Sequence, residues 1–386
     1  MLRSSVPHER HRVLILTADI GFGHRRAADA IAAALTERYG RDCAVEIANP
    51  LQDERVPGWL RNSQADYDRI VREAPDLYRR SYEASDLRVA SRIVESASAL
   101  ILLDVMRDLL RRRRVDVVIV TYGLFQAAVR LATGGRKHYV PMVTVVTDMA
   151  GVHRLWFYPK VDLCIAPTTR VAALAQQEGV PAERIRIVGI PVHPDFLREV
   201  RPPAALRAEL GLLPDRPVLL AVGSKRVSGL EAALRALNHS GLPLQVVAVA
   251  GGDDDLYRRL QETQWHVPVR VLNYVERMAP LLHAADCVLA KAGGLMAAES
   301  LACGKPLILI DVLPGQEVGN AEYCVAGGAA ERAADALGAL EIVHHWLAEG
   351  GMLLRQRAEA ALRLGRPRAA YEVAELVWGL VGRASD

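Results

Sequence analysis

Short apolar runs alternate with longer stretches of helical periodicity along almost the whole chain. The runs lie at residues 12–18, 44–48, 115–121, 141–147, 163–166 and 185–188, and again at 217–223, 244–250, 269–275, 287–290 and 306–310. Such runs are typical of strands buried on both faces, because parallel strands are covered by helices on each side. Strands that alternate with helices predict an α/β fold class with parallel sheets.

The chain is long enough for two hydrophobic cores. At 386 residues it exceeds the size at which single cores stop growing, and the strand pattern occurs twice. A proline-rich segment at 191–203 separates the two occurrences. We therefore predict an N-terminal domain at 1–195, a second domain at 196–367 and a helical C-terminal segment at 368–386.

Composition and charge narrow the class of protein. Hydrophobic residues make up 51% and charged residues 24%, which is a globular and not a disordered composition. The net charge of +3 gives no indication of a nucleic-acid partner, and none is predicted. The five cysteines are odd in number and widely spaced, as is typical of reduced thiols in a cytosolic protein. Residues 1–12 are polar and no apolar run is long enough to span a bilayer, so any membrane contact is predicted to be peripheral.

A glycine pair after the apolar run 287–290 indicates a ligand-binding turn. Gly293 and Gly294 let a ligand approach the backbone, and helical spacing begins at Leu295. The first N–H groups of a helix have no partner within it, so a diphosphate fits this helix start. The alternative interpretation is an ordinary strand-to-helix turn.

Polar side chains that can bind hydroxyls follow this turn. Glu299 lies just over one turn into the predicted helix, where a carboxylate can accept hydrogen bonds from both hydroxyls of a ribose. Gln316, Glu317 and Asn320 can bind sugar hydroxyls, and Gln316 and Asn320 share a face if their segment is helical. The alternative for Glu299 is a solvated helix residue.

The order of these motifs resembles that of a known enzyme family. The Gly-Gly turn, the glutamate on the next helix, the strand at 306–311 and the segment Pro-Gly-Gln-Glu followed by Gly-Asn-Ala-Glu-Tyr are similar to inverting glycosyltransferases of family 28. That family includes monogalactosyldiacylglycerol synthase, processive diacylglycerol glucosyltransferase and, more distantly, the peptidoglycan lipid-intermediate transferase. The resemblance implies the GT-B architecture, in which two Rossmann-like domains face each other across a cleft and the C-terminal helix returns to the first domain. It also implies a UDP-sugar donor, a lipid-alcohol acceptor and no cofactor.

The resemblance extends to a glycine-rich loop in the first domain. The segment 19–24 reads Asp-Ile-Gly-Phe-Gly-His, and Arg26 stands where a dinucleotide fingerprint has its third glycine. The family match implies that Gly21 and Gly23 lie near the diphosphate. His24 can relay or accept a proton, or donate to phosphate. The alternative for His24 is a polar residue at the start of a helix.

Asp148 directly follows an apolar strand, where a carboxylate is seldom placed for packing. Asp148, His153 and Trp156 occur in the order found in the family. An alcohol must lose its proton as it attacks the anomeric carbon, and Asp148 is our first candidate for the base, with His24 or His153 second. The alternative for Asp148 is a helix cap or a salt-bridge partner of Arg154.

Two further groups of residues enter through the resemblance. His153 and Trp156, with Tyr78 from the segment 74–82, are the predicted acceptor-binding residues. The predicted donor-binding residues outside the 291–322 region are listed here: Gly21, Gly23, Gly223, Ser224, Lys225, Val275 and Met278.

The loop after the second domain's first strand departs from the family pattern. Family members carry two or three glycines there, whereas this chain keeps Gly223 and has Lys225 and Arg226. The two cations can pair directly with a diphosphate. Asp253 to Asp255 are more simply a capped helix start than a metal site. With a helix start and two cations to meet the leaving group, no metal is predicted.

The run Arg111 to Arg114 ends a predicted helical region. It is either a solvated helix end that complements the helix dipole or a surface for anionic lipid headgroups. The second interpretation predicts a cytoplasmic enzyme attached to the inner face of the cell membrane.

The sequence leaves three functions open. The first is transfer of glucose or galactose from a UDP-sugar to a lipid alcohol such as diacylglycerol, with inversion. The second is another sugar-nucleotide enzyme of GT-B architecture, either a transferase to a non-lipid acceptor or an epimerase. The third is a non-catalytic protein that binds a sugar nucleotide.

Overall fold

A computed structural model describes residues 10–19, 23–62, 70, 74–134, 139–313 and 315–381; for Pro75, Leu77 and Tyr78 it describes the backbone alone. The described chain forms two compact units. The first contains the described residues among 1–67, 80–194 and 368–386, and the second those among 68–79 and 195–367.

The first unit is built on a parallel sheet whose strands run in the order β2-β1-β3-β4-β5-β6. The strands are β1 (His11–Leu16), β2 (Cys43–Ala48), β3 (Val117–Val120), β4 (Met142–Val145), β5 (Leu163–Ala166) and β6 (Ile185–Ile187). The helices along this part of the chain are α1 (Gly23–Tyr39), α2 (Gly58–Arg61), α3 (Pro75–Ser85), α4 (Arg88–Arg113), α5 (Gln126–Thr133) and α6 (Thr169–Gln177). Every residue of β3, β4 and β5 is buried, as strands covered by helices on both faces require.

The second unit has a parallel sheet with the order β12-β11-β10-β7-β8-β9. Its strands are β7 (Val218–Val222), β8 (Gln245–Val249), β9 (Val269–Leu272), β10 (Cys287–Ala290), β11 (Leu307–Leu309) and β12 (Ala330–Arg332). Its helices are α7 (Asp195–Arg198), α8 (Pro203–Glu209), α9 (Leu230–Asn238), α10 (Asp254–Glu262), α11 (Ala279–Ala284), α12 (Gly294–Ala302), α13 (Gln316–Ala326) and α14 (Ala336–Leu364). A break at Ala348 to Gly351 divides α14.

Each unit encloses its own hydrophobic core. The core of the first unit contains Phe125 and Met142, and that of the second contains Trp346 and Leu289. The five cysteines are unpaired, and the burial of all but Cys303 confirms four of them as core thiols. Because burial disfavours the thiolate, the pKa of Cys164 is raised from 9.0 to about 12.

The predicted α/β class is confirmed, and the predicted strands match the observed ones to within a few residues. Asp253 is the predicted cap of α10, since its Oδ1 accepts a hydrogen bond from the N–H of Leu256 at 3.0 Å. Strand β12 was not predicted. It has one buried residue, Ala330, and lies at an edge of the sheet, so no apolar run marks it in the sequence.

The C-terminal helix α15 (Ala369–Trp378) packs against α1 in the first unit. The Tyr371 hydroxyl donates to Glu37 Oε2 at 2.9 Å. The rings of Tyr39 and Trp378 stack with their centroids 4.4 Å apart. Aromatic stacking and a charge-assisted hydrogen bond therefore hold α15 against α1.

Each sheet has one place where the direction of strand progression reverses. In the first unit it lies between β1 and β3, and in the second between β7 and β10. Loops on either side of such a place leave the sheet toward opposite faces, so a crevice forms at the carboxyl ends of the strands. These two crevices are where ligand-binding residues are expected.

Candidate active site

In the second unit, the predicted donor residues lie at the carboxyl ends of strands of one sheet, in which β7 and β10 are neighbours and β8 separates β9 from β7. Gly223 and Ser224 follow β7, Val275 and Met278 follow β9, and Gly293 follows β10. The strands on either side of the reversal, β7 and β10, are hydrogen-bonded neighbours. The fold therefore brings the Gly223 loop and the Gly293 loop to the same crevice.

The packing requires Gly223, whereas it does not require Gly293. A Cβ at Gly223 would lie 2.9 Å from methyl carbons of Leu230 and Leu256, closer than packed atoms approach. A Cβ at Gly293 would meet only Lys291, at 3.7 Å, and the φ angle of −67° suits any residue. The open space at Gly293 is thus available to a ligand.

Helix α12 begins immediately after this open backbone. Gly293 is its N-cap residue and supplies no side-chain cap, and the first turn carries no acidic residue. The free N–H groups at such a helix start favour an anion. The helix predicted to begin at Leu295 begins one residue earlier, at Gly294.

Glu299 lies on α12 and is buried, with a relative exposure of 4%. The alternative of a solvated helix residue is therefore wrong. A buried carboxylate is stable only where partners hold it, and Glu299 does interact with other groups of the protein.

Glu317 joins the loop after β10 to the loop after β11. It forms a salt bridge with the Lys291 ammonium, and its Oε2 accepts a hydrogen bond from the N–H of Leu313 at 3.2 Å. Sequence analysis did not include Lys291 among the site residues. A lysine directly after a buried strand was the signal available in the sequence, by the same reasoning that singled out Asp148.

Asn320 makes a second link between the same loops. Its side chain is fully buried, and Nδ2 donates to the carbonyl of Ala292 at 3.1 Å. Gln316 is the first residue of α13, after Gly315 with φ of 94°, a value that favours glycine. Gln316 and Asn320 are thus on one helix and share a face, as the sequence predicted.

The cations of the Gly223 loop differ in their environment. Lys225 is exposed, and no ion pair to it is seen in the described part of the chain. Arg226 is half-buried, with its N–H donating to Ser224 Oγ at 3.3 Å. Lys225 is therefore the more accessible cation for a phosphate.

In the first unit, His24 lies at the crevice between β1 and β3. Its Nδ1 is 2.9 Å from Thr147 Oγ1, and its ring lies against those of Tyr122 and Trp156 at centroid distances of 5.2 and 5.6 Å. Burial disfavours the imidazolium and lowers the pKa of His24 from 6.5 to about 4, although a hydrogen bond with the Thr121 backbone opposes the shift. His24 is consequently neutral at pH 7.

The contact with Thr147 puts His24 beside the residue that precedes Asp148. Thr147 precedes Asp148 in the loop after β4, and His24 begins α1, 123 residues earlier in the chain. Asp148 is partly exposed in that loop. Arg154, its possible partner in the sequence, forms a salt bridge with Glu178.

His153 is held by protein partners at both ring nitrogens. Its Nδ1 accepts from the N–H of Leu155 at 3.2 Å, so the proton of the neutral ring lies on Nε2, which donates to Ser85 Oγ at 3.1 Å. Burial lowers the pKa of His153, while the nearby Asp86 carboxylate acts in the opposite direction. The geometry is that of a residue that fixes the loop after β4 to the end of α3.

Trp156 is buried behind His24 instead of facing solvent. Gln126 holds it there, because Gln126 Nε2 donates to the Trp156 carbonyl at 3.0 Å and to Thr144 Oγ1 at 2.8 Å. Sequence analysis missed Tyr122, Thr147 and Gln126, whose types carry no distinctive motif. Gly21 and the Tyr78 side chain lie outside the described residues.

Comparison with known proteins identifies the family of both units. Residues 24–192 match the monogalactosyldiacylglycerol (MGDG) synthase family, and residues 218–350 match the glycosyltransferase family 28 C-terminal domain. A probable chloroplastic MGDG synthase of Glycine max is 33% identical over 384 residues, which cover 97% of this chain and 72% of that protein.

Solved structures show the fold. MurG of Acinetobacter baumannii has a TM-score of 0.62 at 15% identity, covering 96% of this chain and 99% of that one. The UDP-GlcNAc 2-epimerase of Neisseria meningitidis has a TM-score of 0.61 at 14% identity, covering 95% and 100%. The fold is therefore GT-B, and it is shared by transferases and epimerases alike. Sequence similarity decides between them: the chain belongs to the monogalactosyldiacylglycerol synthase family and is a glycosyltransferase.

Proposed function

We propose that the protein transfers a galactosyl group from UDP-galactose to diacylglycerol, with inversion at the anomeric carbon. The observation that carries the proposal is the match of residues 24–192 to the monogalactosyldiacylglycerol synthase family, and the contact between His24 and Thr147, the residue before Asp148, supports it. The names of the relatives support galactose and diacylglycerol. Glucose, which differs from galactose at one hydroxyl, is the second candidate sugar.

In the proposed reaction the first unit supplies the base. The acceptor oxygen forms a bond to the anomeric carbon while the bond from that carbon to the phosphate oxygen breaks, and the electron pair leaves with UDP. The acceptor proton passes to the Asp148 carboxylate. Attack opposite the leaving group inverts the anomeric centre. His24 is neutral, so it can donate or accept a hydrogen bond in this reaction without adding charge.

The second unit binds the donor in this proposal. The diphosphate lies at the start of α12, where no side chain caps the free N–H groups. Glu299 accepts hydrogen bonds from the ribose hydroxyls and Gln316 contacts the sugar, whereas the fully buried Asn320 does not reach a ligand and instead holds the loop after β10. The remaining proposed donor contacts are Ser224, Val275, Met278, Leu295 and Glu317.

The negative charge of departing UDP is met by protein groups in this arrangement. The start of α12 and Lys225 supply donors and positive charge, and among the described residues no three His, Cys, Asp or Glu side chains are grouped as metal ligands would be. We therefore expect initial rates in excess EDTA to stay within twofold of the untreated enzyme. Loss of activity that magnesium or manganese restores would contradict metal-free catalysis.

Product analysis tests the function itself. The purified protein is incubated with UDP-galactose, UDP-glucose or UDP-N-acetylglucosamine and with diacylglycerol, and the lipid products are identified by mass and by the anomeric proton coupling. We expect β-galactosyldiacylglycerol as the main product. A glucosyl product would transfer the proposal to glucose. Epimerised UDP-sugar without a lipid product would show the epimerase activity of proteins with the same fold.

A lipid acceptor requires access to a membrane, and we propose that α4 supplies the contact surface. Its outer face presents Val89, Ile93 and Leu100 in the first half, each at least 63% exposed, and Arg107 and Arg111 in the second. The spacing of four and seven residues puts all five on one side of the helix. Apolar and basic side chains on one face suit a helix that lies in the headgroup region of an anionic bilayer.

No described helix combines the length and the apolar character needed to cross a bilayer.

We expect the variant Ile93→Gln/Leu100→Gln to lose at least tenfold in binding to vesicles that contain phosphatidylglycerol, measured by cosedimentation. Glutamine is a good helix former, so the change removes apolar contact without breaking α4. The matched control is Leu337→Gln/Leu362→Gln, which alters two equally exposed leucines on α14. Equal sedimentation of both variants and the wild type would contradict the proposed surface. Attachment to the inner face of the cell membrane stays a prediction, since the similar proteins are named as chloroplastic.

A further inference from the structure

Asp311 has an unusual backbone conformation beside the donor loops. It follows β11, and its φ of 47° lies in the left-handed region. Among the other non-glycine residues of the described chain, only Arg114 and Glu349 also have a positive φ. Asp tolerates this conformation better than most residues, although it is still unfavourable. Strain at such a position persists only where surrounding contacts hold it.

The contact that holds Asp311 reaches a distant loop. Its Oδ2 accepts a hydrogen bond from the N–H of Gly229 at 2.6 Å. Gly229 ends the loop after β7 and is the N-cap residue of α9. A Cβ at position 229 would lie 3.1 Å from the carboxylate, so the glycine allows the close approach. A side chain 82 residues away thus caps α9.

This bond spans the strand that carries the proposed diphosphate site. In the sheet, β10 lies between β7 and β11, so Asp311 connects the loops on either side of the Gly293 turn. Glu317 and Asn320 tie the same β11–α13 segment to the loop after β10. The three loops around the start of α12 are therefore linked through one segment.

The charges distinguish the two helix starts at this edge. Helix α9 has the Asp311 carboxylate at its N-cap and Glu231 in its first turn. Helix α12 has no acidic residue in its first turn and no side-chain cap. Glu231 is paired with Arg235 and Arg259. The Asp311 carboxylate is therefore the group that occupies the start of α9, whereas the start of α12 is open to a diphosphate.

We infer that Asp311 is a positioning residue for the donor. It fills the start of α9, leaves the start of α12 as the place of the diphosphate, and holds the loop of residues 223–229 in position to present Lys225. This inference rests on the proposed donor site in the second unit. Through this positioning, Asp311 affects the binding of the donor's phosphates and not that of its nucleoside.

Two variants separate the hydrogen bond from the backbone strain. Asp311→Asn keeps an oxygen acceptor and tolerates the left-handed conformation, whereas Asp311→Gly removes the side chain and relieves the strain. The probes are UDP and uridine, with affinities measured by calorimetry and by ligand-detected NMR. We expect Asp311→Asn to stay within threefold of wild type for UDP. Asp311→Gly should weaken UDP at least tenfold while uridine changes less than twofold.

Glu349→Gly is the matched control, since it relieves the same backbone conformation within α14. It should leave UDP affinity unchanged. Equal UDP affinities for Asp311→Gly and wild type would overturn the inference. So would equal losses for UDP and uridine with a lowered melting temperature, which would show a structural role alone. Absence of UDP binding by the wild type would instead overturn the proposed donor site.

Discussion

Asp148→Asn should lower turnover roughly a hundredfold or more while UDP affinity is preserved. The amide keeps the size and hydrogen bonding of the carboxylate but cannot take the acceptor proton. Steady-state rates with diacylglycerol and UDP affinity by calorimetry provide the measurement. Asp215→Asn is the control, because it makes the same chemical change at an exposed position before β7, at the amino end of that strand and away from the crevices.

Variants are needed because a pH profile does not identify this base. A base must be unprotonated, so activity falls as pH drops through its pKa. Burial lowers the pKa of His24 to about 4, so a histidine base would here give an acid limb in the range where carboxylates usually titrate. Near-normal turnover of Asp148→Asn, together with a large loss in His24→Ala, would assign the base to His24.

Glu299→Ala should weaken UDP binding by about 2 to 3 kcal/mol, or about 30- to 150-fold in Kd. The substitution removes the carboxylate that is proposed to accept hydrogen bonds from the ribose hydroxyls, on a helix whose open end is proposed to bind the diphosphate. Calorimetry with UDP is the measurement, and thermal unfolding shows whether the fold is intact.

Glu359→Ala is the matched control, since it removes an exposed glutamate from α14 in the same unit. Its UDP affinity should equal that of the wild type. A Glu299→Ala protein that binds UDP within threefold of wild type would remove Glu299 from the donor site.

The sequence predicted the class of fold because buried strands have local runs of apolar residues that can be recognised. Strands such as β5 and β10 are covered on both faces, so their apolar runs are unbroken and their bounds agree with the prediction. Strand β12 escaped prediction because an edge strand of three residues buries too little to need such a run. Capping is equally local, which is why Asp253 was correctly predicted as the start of α10.

The candidate ligand-binding residues in the loops could also be predicted from the sequence. Asp148 and the Gly293-Gly294 turn stand directly after strands, and the carboxyl ends of parallel strands are where ligands bind. The order of these residues was enough to identify the family, which comparison then confirmed. The role of each residue in donor or acceptor binding stays a prediction.

Only the tertiary structure decided which side chains meet. One hydrogen bond joins His24 to Thr147, 123 positions apart, and another joins Gly229 to Asp311, 82 positions apart. No local pattern in the sequence encodes contacts over such separations. Burial likewise lowers the pKa of His24, and hydrogen bonds hold His153 between Leu155 and Ser85. The physical reason is that propensity, capping and periodicity act over a few residues. Electrostatic environment and partner choice depend instead on the whole packing around a group.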